Sequence, residues 1–214
     1  MKQYFFNDTE TTGLESKPGR HEIVQLGAIL TNDRTIIDSI SIKSKPENWK
    51  AINSEALRVN HLTREILESY SDPAIEFDRM YSMLIKHKNP KNKYIMAGQN
   101  VKFDKRFVKL WWERWSNPSK HMAFDEMFDP TEVLDLMEIT KPLKELGILV
   151  VDNVKLGTVA SALCIQPIGE LHDAMTDIDL TYRTVFDLVD RINSLNNEML
   201  QEKFKKFLSI KYQR

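Results

Sequence analysis

Apolar and polar positions change rhythm several times along the 214-residue chain, and each change marks an element. The run Tyr4-Phe5-Phe6 opens a β-prone stretch that leads into Asp8-Thr9-Glu10-Thr11-Thr12-Gly13. Glu22 to Thr31 and Thr35 to Lys43 are β-rich and parted by Asn32-Asp33, a hairpin-type turn, which predicts an antiparallel meander of the first three strands. From 52 to 88 the spacing turns helical: Ala56, Val59, Leu62 and Leu67, then Ile75, Met80 and Leu84 behind Asp72-Pro73, an N-cap followed by proline at the first helical position. Tyr94 to Gly98 is apolar throughout, as a buried parallel strand is, and a helix follows to about Trp115. Residues 116–130 read as a loop, Thr131 to Leu136 as a last short strand, and two helical segments are expected after Pro142, the second being the small-residue stretch Leu156 to Leu163. A long helix opens behind Leu171-His172-Asp173 and runs to about Ile192, with Ala174, Ile178, Tyr182, Val185, Phe186 and Val189 on its inner side. One domain over 1–192 is expected, with residues 193–214 as an amphipathic C-terminal helix packed on it or extending from it.

Composition narrows the class without naming a chemistry. Hydrophobic residues make up 42% and charged residues 29%, the balance of a globular protein rather than a disordered or fibrous one. No apolar run reaches the ~18 residues of a membrane helix, and no charged-then-apolar leader precedes the first strand, so no membrane partner and a cytoplasmic location are expected. Cys164 is the single cysteine, which rules out an intramolecular disulfide and a cysteine-based zinc site. The net charge is −1, so a nucleic-acid partner would be held by local basic patches and metals, not by a globally positive surface.

Candidate chemistry starts with the first strand. Alternation puts Asp8 and Glu10 on the same side, about 7 Å apart along the chain, where their mutual repulsion raises both pKa values unless divalent cations lie between them. Asp104 is the odd residue of the helix expected to end near Trp115, a carboxylate on the core-facing stripe that carries Val108, Trp111, Trp112 and Trp115, with Lys102, Lys105, Arg106 and Lys109 on another face. The tryptophans read as core, and the basic stripe as either a solvated face or a contact to a phosphate backbone. His172 and Asp177 lie five positions apart, about 500° of helical turn, so they reach one site only if His172 stands on the loop before the helix.

Three motifs together resemble the DEDDh 3′-5′ exonucleases, the family that includes the proofreading subunit of bacterial replicative polymerases, RNase T and oligoribonuclease. Asp8-Thr9-Glu10-Thr11-Thr12-Gly13 is similar to the first motif, Asn100-Val101-Lys102-Phe103-Asp104 to the second and His172-x-Ala174-x-x-Asp177 to the third, and Val59-Asn60-His61-Leu62-Thr63 resembles a stretch lining the family's substrate groove. The resemblance implies an α/β, ribonuclease H-like fold, a mixed five-stranded sheet flanked by helices. It further implies that Asp8, Glu10, Asp104 and Asp177 ligate two Mg²⁺ or Mn²⁺ ions and that His172 is the general base. Thr11, Thr12 and Gly13 would grip the terminal nucleotide, Leu14 would meet its sugar and base, and Asn100 and Phe103 would form the opposite wall. The implied partner is a single-stranded nucleic acid, DNA before RNA, with a free 3′ end, and a polymerase or repair complex is a further candidate partner. The implied product is a nucleoside 5′-monophosphate. Two positions depart from the pattern: Asn7 where an apolar residue is usual, its side chain expected to point away from the carboxylates, and Gln99 where histidine is common.

Rival functions are an exoribonuclease of the same family, a nucleic-acid-binding subunit that keeps the fold without turnover, and a ribonuclease H-like endonuclease. The full set of expected ligands argues against the second. The third class lacks the arrangement of His172, Ala174 and Asp177.

Overall fold

The computed structural model describes residues 1–194 together with residues 198, 202 and 204. Five strands form one sheet: β1 Gln3–Thr11, β2 Ile23–Asn32, β3 Thr35–Lys43, β4 Tyr94–Gly98 and β5 Phe128–Asp135, in the order β3-β2-β1-β4-β5. β1, β2 and β3 pair antiparallel as the turn at Asn32-Asp33 predicts, while β4 and β5 run parallel to β1. Helices α1 Ser54–Val59, α2 Arg64–Glu68, α3 Pro73–His87, α4 Val101–Trp115, α5 Phe124–Met127, α6 Leu136–Glu145, α7 Leu156–Ala162 and α8 Ala174–Ser194 flank it. This is the expected mixed five-stranded α/β architecture.

Alternation along β1 divides the core between two layers. Tyr4 and Phe6 pack with Ile178, Val185, Phe186 and Val189 of α8, while Phe5 packs with Phe77 and Met80 of α3 and Phe107, Val108, Trp111 and Trp112 of α4. By the same parity Asp8 and Glu10 face the α8 side. Asn7 lies on the α4 side as expected, buried, with both polar atoms of its side chain lacking a hydrogen-bond partner. Asp72 caps α3 through the amide of Ala74 with Pro73 at the first position, the capping pattern legible in the sequence.

Three boundaries differ from expectation. β5 begins at Phe128, three residues before the predicted start, and runs through Pro130. Proline is tolerated there because β5 is an edge strand. The loop expected over 116–130 contains α5, whose Phe124 and Met127 are buried in the α4 layer and whose Glu126 side chain accepts from the Ala123 amide. Pro142 lies inside α6 rather than ahead of it; the buried stripe Leu136, Ile139, Thr140 and Leu143 holds that helix together, and the Thr140 hydroxyl donates to the Leu136 carbonyl. The helix expected over 193–214 falls mostly outside the described residues, although Phe204 is buried in the α8 layer. Among the described residues no helix is long and apolar enough to cross a membrane.

One close approach fixes where α8 starts. Gly27 of β2 pairs with Asp8, and a Cβ there would lie 2.3 Å from the Ala174 carbonyl oxygen and 2.7 Å from the Met175 nitrogen. Both are backbone atoms of the first turn of α8, so a side chain at Gly27 forces the helix start away from β1. Gly27→Ala should therefore cost about 1–3 kcal/mol, the usual penalty of overpacking, and lower the melting temperature by several degrees. An alanine variant that melts with the parent would show that α8 is not seated on this glycine.

Candidate active site

β1 continues past its partner β4. Their pairing spans Gln3 to Phe6 on β1, and beyond it the Thr9 amide and hydroxyl both donate to Asp104 Oδ1, at 3.0 and 2.7 Å. A carboxylate from the first turn of α4 thus binds the end of β1 where strand pairing has stopped. Asp104 is held in turn from β5: Asp135, buried at the strand's carboxyl end, accepts from the amides of Asn100 and Val101 at 2.9 and 3.0 Å and from Met137 at 2.9 Å. Asn100 precedes α4 in the left-handed region, φ 61°, with its side chain exposed.

The third motif arrives from the other layer. Asp177 sits one turn into α8, and His172 stands before the helix at φ 67°, its amide donating to Asp177 Oδ2 at 3.2 Å. This is the loop-then-helix arrangement that the five-residue spacing requires. Asp173 between them caps α8, accepting from the amides of Met175 and Thr176. Glu10, His172 and Asp177 bring one ligand atom each to within 4.8 Å of one another. Asp8 lies close enough to Asp104, Glu10, Asp177 and Asp173 for each of them to shift its titration. All five residues expected to act together are gathered at one end of β1, and Asp173 joins them.

The first-motif residues divide into two groups. Thr11 and Thr12 are buried and their hydrogen bonds stay within the protein: the Thr11 hydroxyl donates to the Gly13 carbonyl, the Thr12 hydroxyl accepts from the Glu22 amide, and the Thr12 amide donates to the Glu22 carbonyl. Asn60 donates to the Thr11 carbonyl and the Asn53 amide to the Thr12 carbonyl, so the segment between β3 and α3 clamps the strand end. The threonines shape this turn, whereas Leu14 projects from it with 77% exposure. Phe103 is half-buried on α4. His61, in the left-handed region at φ 54°, places its ring 6.3 Å from that of His172. Of the basic stripe, Lys105 donates to the carbonyls of Asp129 and Pro130, Lys109 approaches Glu113 and Asp125, and Lys102 and Arg106 stay exposed.

Crowding sets the electrostatics. Burial first, then the neighbouring Asp104, Glu10, Asp177 and Asp173, pushes the Asp8 carboxyl well above the usual range. Burial first, then Asp177, Asp104 and Asp173, lifts Glu10 to about 8. Asp104 is raised chiefly by burial, against the two Thr9 hydrogen bonds that favour its anion. Asp177 is raised by burial and held back by the His172 amide. One atom, Asp177 Oδ1, is buried with no hydrogen-bond partner. A set of carboxylate oxygens with one imidazole, mutually repelling and with an orphaned oxygen, has the chemistry that a divalent cation satisfies.

Sequence reasoning singled out the acids but missed their supports. An aspartate between a strand and a helix is a cap signal, but the reach of Asp135 to α4 depends on the strand order. Asp173 is likewise a local cap, whereas Thr9, Asn60 and Gly27 act through contacts that no local spacing encodes.

The family profile for RNase T-type exonucleases matches residues 5–185. No curated protein matches the chain by sequence. Among solved structures the chain is similar to the exonuclease I of Methylocaldum szegediense, at 19% identity over 96% of this chain and 43% of that one, with a TM-score of 0.72. It is also similar to E. coli exonuclease I in a zinc-bound complex with single-stranded DNA, at 19% identity over 96% and 43%, TM-score 0.73. A complex of the E. coli enzyme with a dT13 oligonucleotide matches at 19% identity over 94% and 46%, TM-score 0.69. The chain spans less than half the length of these structures.

A raised carboxyl pKa makes the folded state hold protons that the unfolded chain has released, so its stabilising effect is complete below the unfolded value and fades as pH climbs through the folded one. For Glu10 that window runs from 4.5 to about 8, and Asp8, Asp104 and Asp177 act with the same sign. In EDTA the melting temperature should fall as pH rises across this window, a divalent cation should restore it most at the upper end, and Glu10→Gln should flatten the slope. Calorimetry that finds the metal-free protein equally stable across the window would refute the repulsion.

Proposed function

The chain belongs to the exonuclease family, that of the DEDDh 3′-5′ exonucleases, and from that premise we propose that it hydrolyses single-stranded nucleic acid from a free 3′ end and releases nucleoside 5′-monophosphates. The observation that carries this proposal is the meeting of Glu10, His172 and Asp177 within 4.8 Å, beside Asp8 and Asp104. DNA is the preferred substrate, supported by the single-stranded DNA in complexes of structurally similar exonucleases. Cys164, exposed and unpaired among the described residues, suits the reducing cytoplasm.

Asp8, Glu10, Asp104 and Asp177 would hold the cations, two Mg²⁺ or Mn²⁺ ions. When bound, they supply positive charge to the attacking and leaving oxygens of an in-line displacement. His172, exposed on its turn ahead of α8, takes the proton of the attacking water, and its backbone is fixed through Asp177. The new bond joins the water oxygen to phosphorus, and the bond to the 3′ oxygen of the preceding nucleotide breaks. Leu14 and Phe103 offer apolar surface to the terminal base, which an unpaired end can present and a paired one cannot. Gly13 and the buried Thr11 and Thr12 set the turn that carries Leu14, and Asn100 borders the start of α4 beside Phe103.

Strands labelled at the 3′ or the 5′ end, as DNA and as RNA, distinguish the readings. With Mg²⁺ the 3′ label should appear at once as mononucleotide while the 5′ label forms a descending ladder, and EDTA should stop both. His172→Ala should lower the rate by about 10²–10⁴-fold, the range of general-base catalysis, and Asp177→Asn by at least ~10²-fold. Cleavage of a circular single strand would instead mark an endonuclease, and digestion that survives EDTA would end the proposed mechanism.

A further inference from the structure

On the α4 side of the sheet, a cavity of about 410 Å³ lies between the second half of α4, the loop leading into β2 and the residues that follow β3. Its walls are apolar and aromatic, with Phe107, Trp111 and Trp115 from α4 and His21 opposite. Three polar atoms of residues around it are buried with no hydrogen-bond partner: Trp111 Nε1, Ser44 Oγ and His21 Nδ1. Trp111 is 6% exposed and Ser44 1%, so neither group is satisfied by bulk water. An unmet buried donor costs about 1–3 kcal/mol, and the indole N–H and the hydroxyl beside one cavity describe a place that expects acceptors from elsewhere, while the imidazole nitrogen can donate or accept.

Both walls continue those of the catalytic end. Phe103, Phe107, Trp111 and Trp115 recur at every fourth position of α4, and the rings of Phe103 and Phe107 lie 5.0 Å apart. The eight steps from Phe103 to Trp111 rise about 12 Å along the helix. Across from them the His21 ring fills the space beside Gly13, 2.4 Å from where a Cβ would be, so one imidazole backs the first-motif turn and lines the cavity. Lys17 and Lys45 stand at the border, and Lys45 makes no ion pair among the described residues. Two carboxylates line the cavity: Glu22 is neutralised by Arg114 and by the amides of Glu47 and Asn48, and the exposed Glu113 approaches Lys109.

We propose that this cavity is a second nucleotide subsite, which takes a base of the same single strand upstream of the cleaved linkage. The base lies against the α4 aromatics, its edge accepts from Trp111 Nε1 and the Ser44 hydroxyl, and Lys45 meets the adjoining phosphate. The subsite rests on the proposed function for the identity of the strand, but its occupation needs no turnover. It holds longer strands in place between successive cleavages, while a strand too short to span from Phe103 to Trp111 gains nothing from it.

Fluorescence anisotropy in EDTA, with a labelled thymidine dinucleotide and a labelled thymidine strand of about eight nucleotides, tests this directly. The longer strand should bind the parent protein about tenfold more tightly than the dinucleotide. Trp111→Phe keeps an aromatic ring but removes the N–H together with the five-membered half of the indole, so the dinucleotide serves as the control for any general disturbance, and Lys45→Ala changes only the border of the cavity. Each should weaken the longer strand by about fivefold, the worth of one lost hydrogen bond, and leave the dinucleotide unchanged. Unaltered affinity in both variants, an equal loss for both strands, or no binding of the longer strand by the parent would each overturn the subsite. A protein that digests nothing, yet loses the longer strand on Trp111→Phe, would sink the catalytic proposal and leave the subsite standing.

Discussion

Repulsion among carboxylates governs this molecule. Asp8, Glu10, Asp104 and Asp177 come from three elements in two layers, and each is shifted towards its protonated form by burial. An isolated arrangement of this kind would spread apart. It is kept together because every acid stands on something rigid. Asp8 and Glu10 belong to a strand paired with β2, Asp104 is bonded to Thr9, and Asp177 is carried by a helix seated on Gly27. The fold therefore stores an electrostatic conflict that positive charge relieves, and this gives the cluster affinity for cations without a dedicated cage.

Placement follows from one irregularity in the sheet. β1 and β4 are parallel and neighbours in space, but their pairing stops at Phe6, so the last part of β1 extends beyond the sheet on that side. Ligands of open parallel sheets gather outside the carboxyl ends of the strands. Asp104 from α4 and Asp135 from β5 work together at that place: one binds the strand end, the other fixes the helix that supplies it. The opposite layer delivers His172 and Asp177 through the start of α8.

Much of this was legible in the sequence, for physical reasons that also explain the gaps. The β-rich runs of β1 and β2, the Asn32-Asp33 turn and the Asp72-Pro73 cap are local signals, and the structure follows them closely. The loop position of His172 followed from helical geometry alone. The start of β5 did not, because a proline that would end a central strand is harmless on an edge, and edge status depends on the whole sheet. The long-range roles of Asp135, Asn60 and Gly27 stay hidden for a related reason. Their partners lie 34, 49 and well over a hundred residues away; the cap at Asp135 and the motif around Asn60 are visible locally, but these partners are not. The reading of the α4 tryptophans as core holds for Trp111 and Trp112, with Trp115 packed against them, although the indole nitrogen of Trp111 is left without a partner.

The distance in sequence between β1 and α8 has a consequence for the life of the chain. Asp8 and Glu10 lie on β1 and their neighbour Asp177 on α8, with the other four strands and helices α1 to α7 between them along the chain. Contacts of such separation close late in folding. A half-folded chain therefore holds only fragments of the cluster, and the acidic centre is assembled late, when α8 docks on β1.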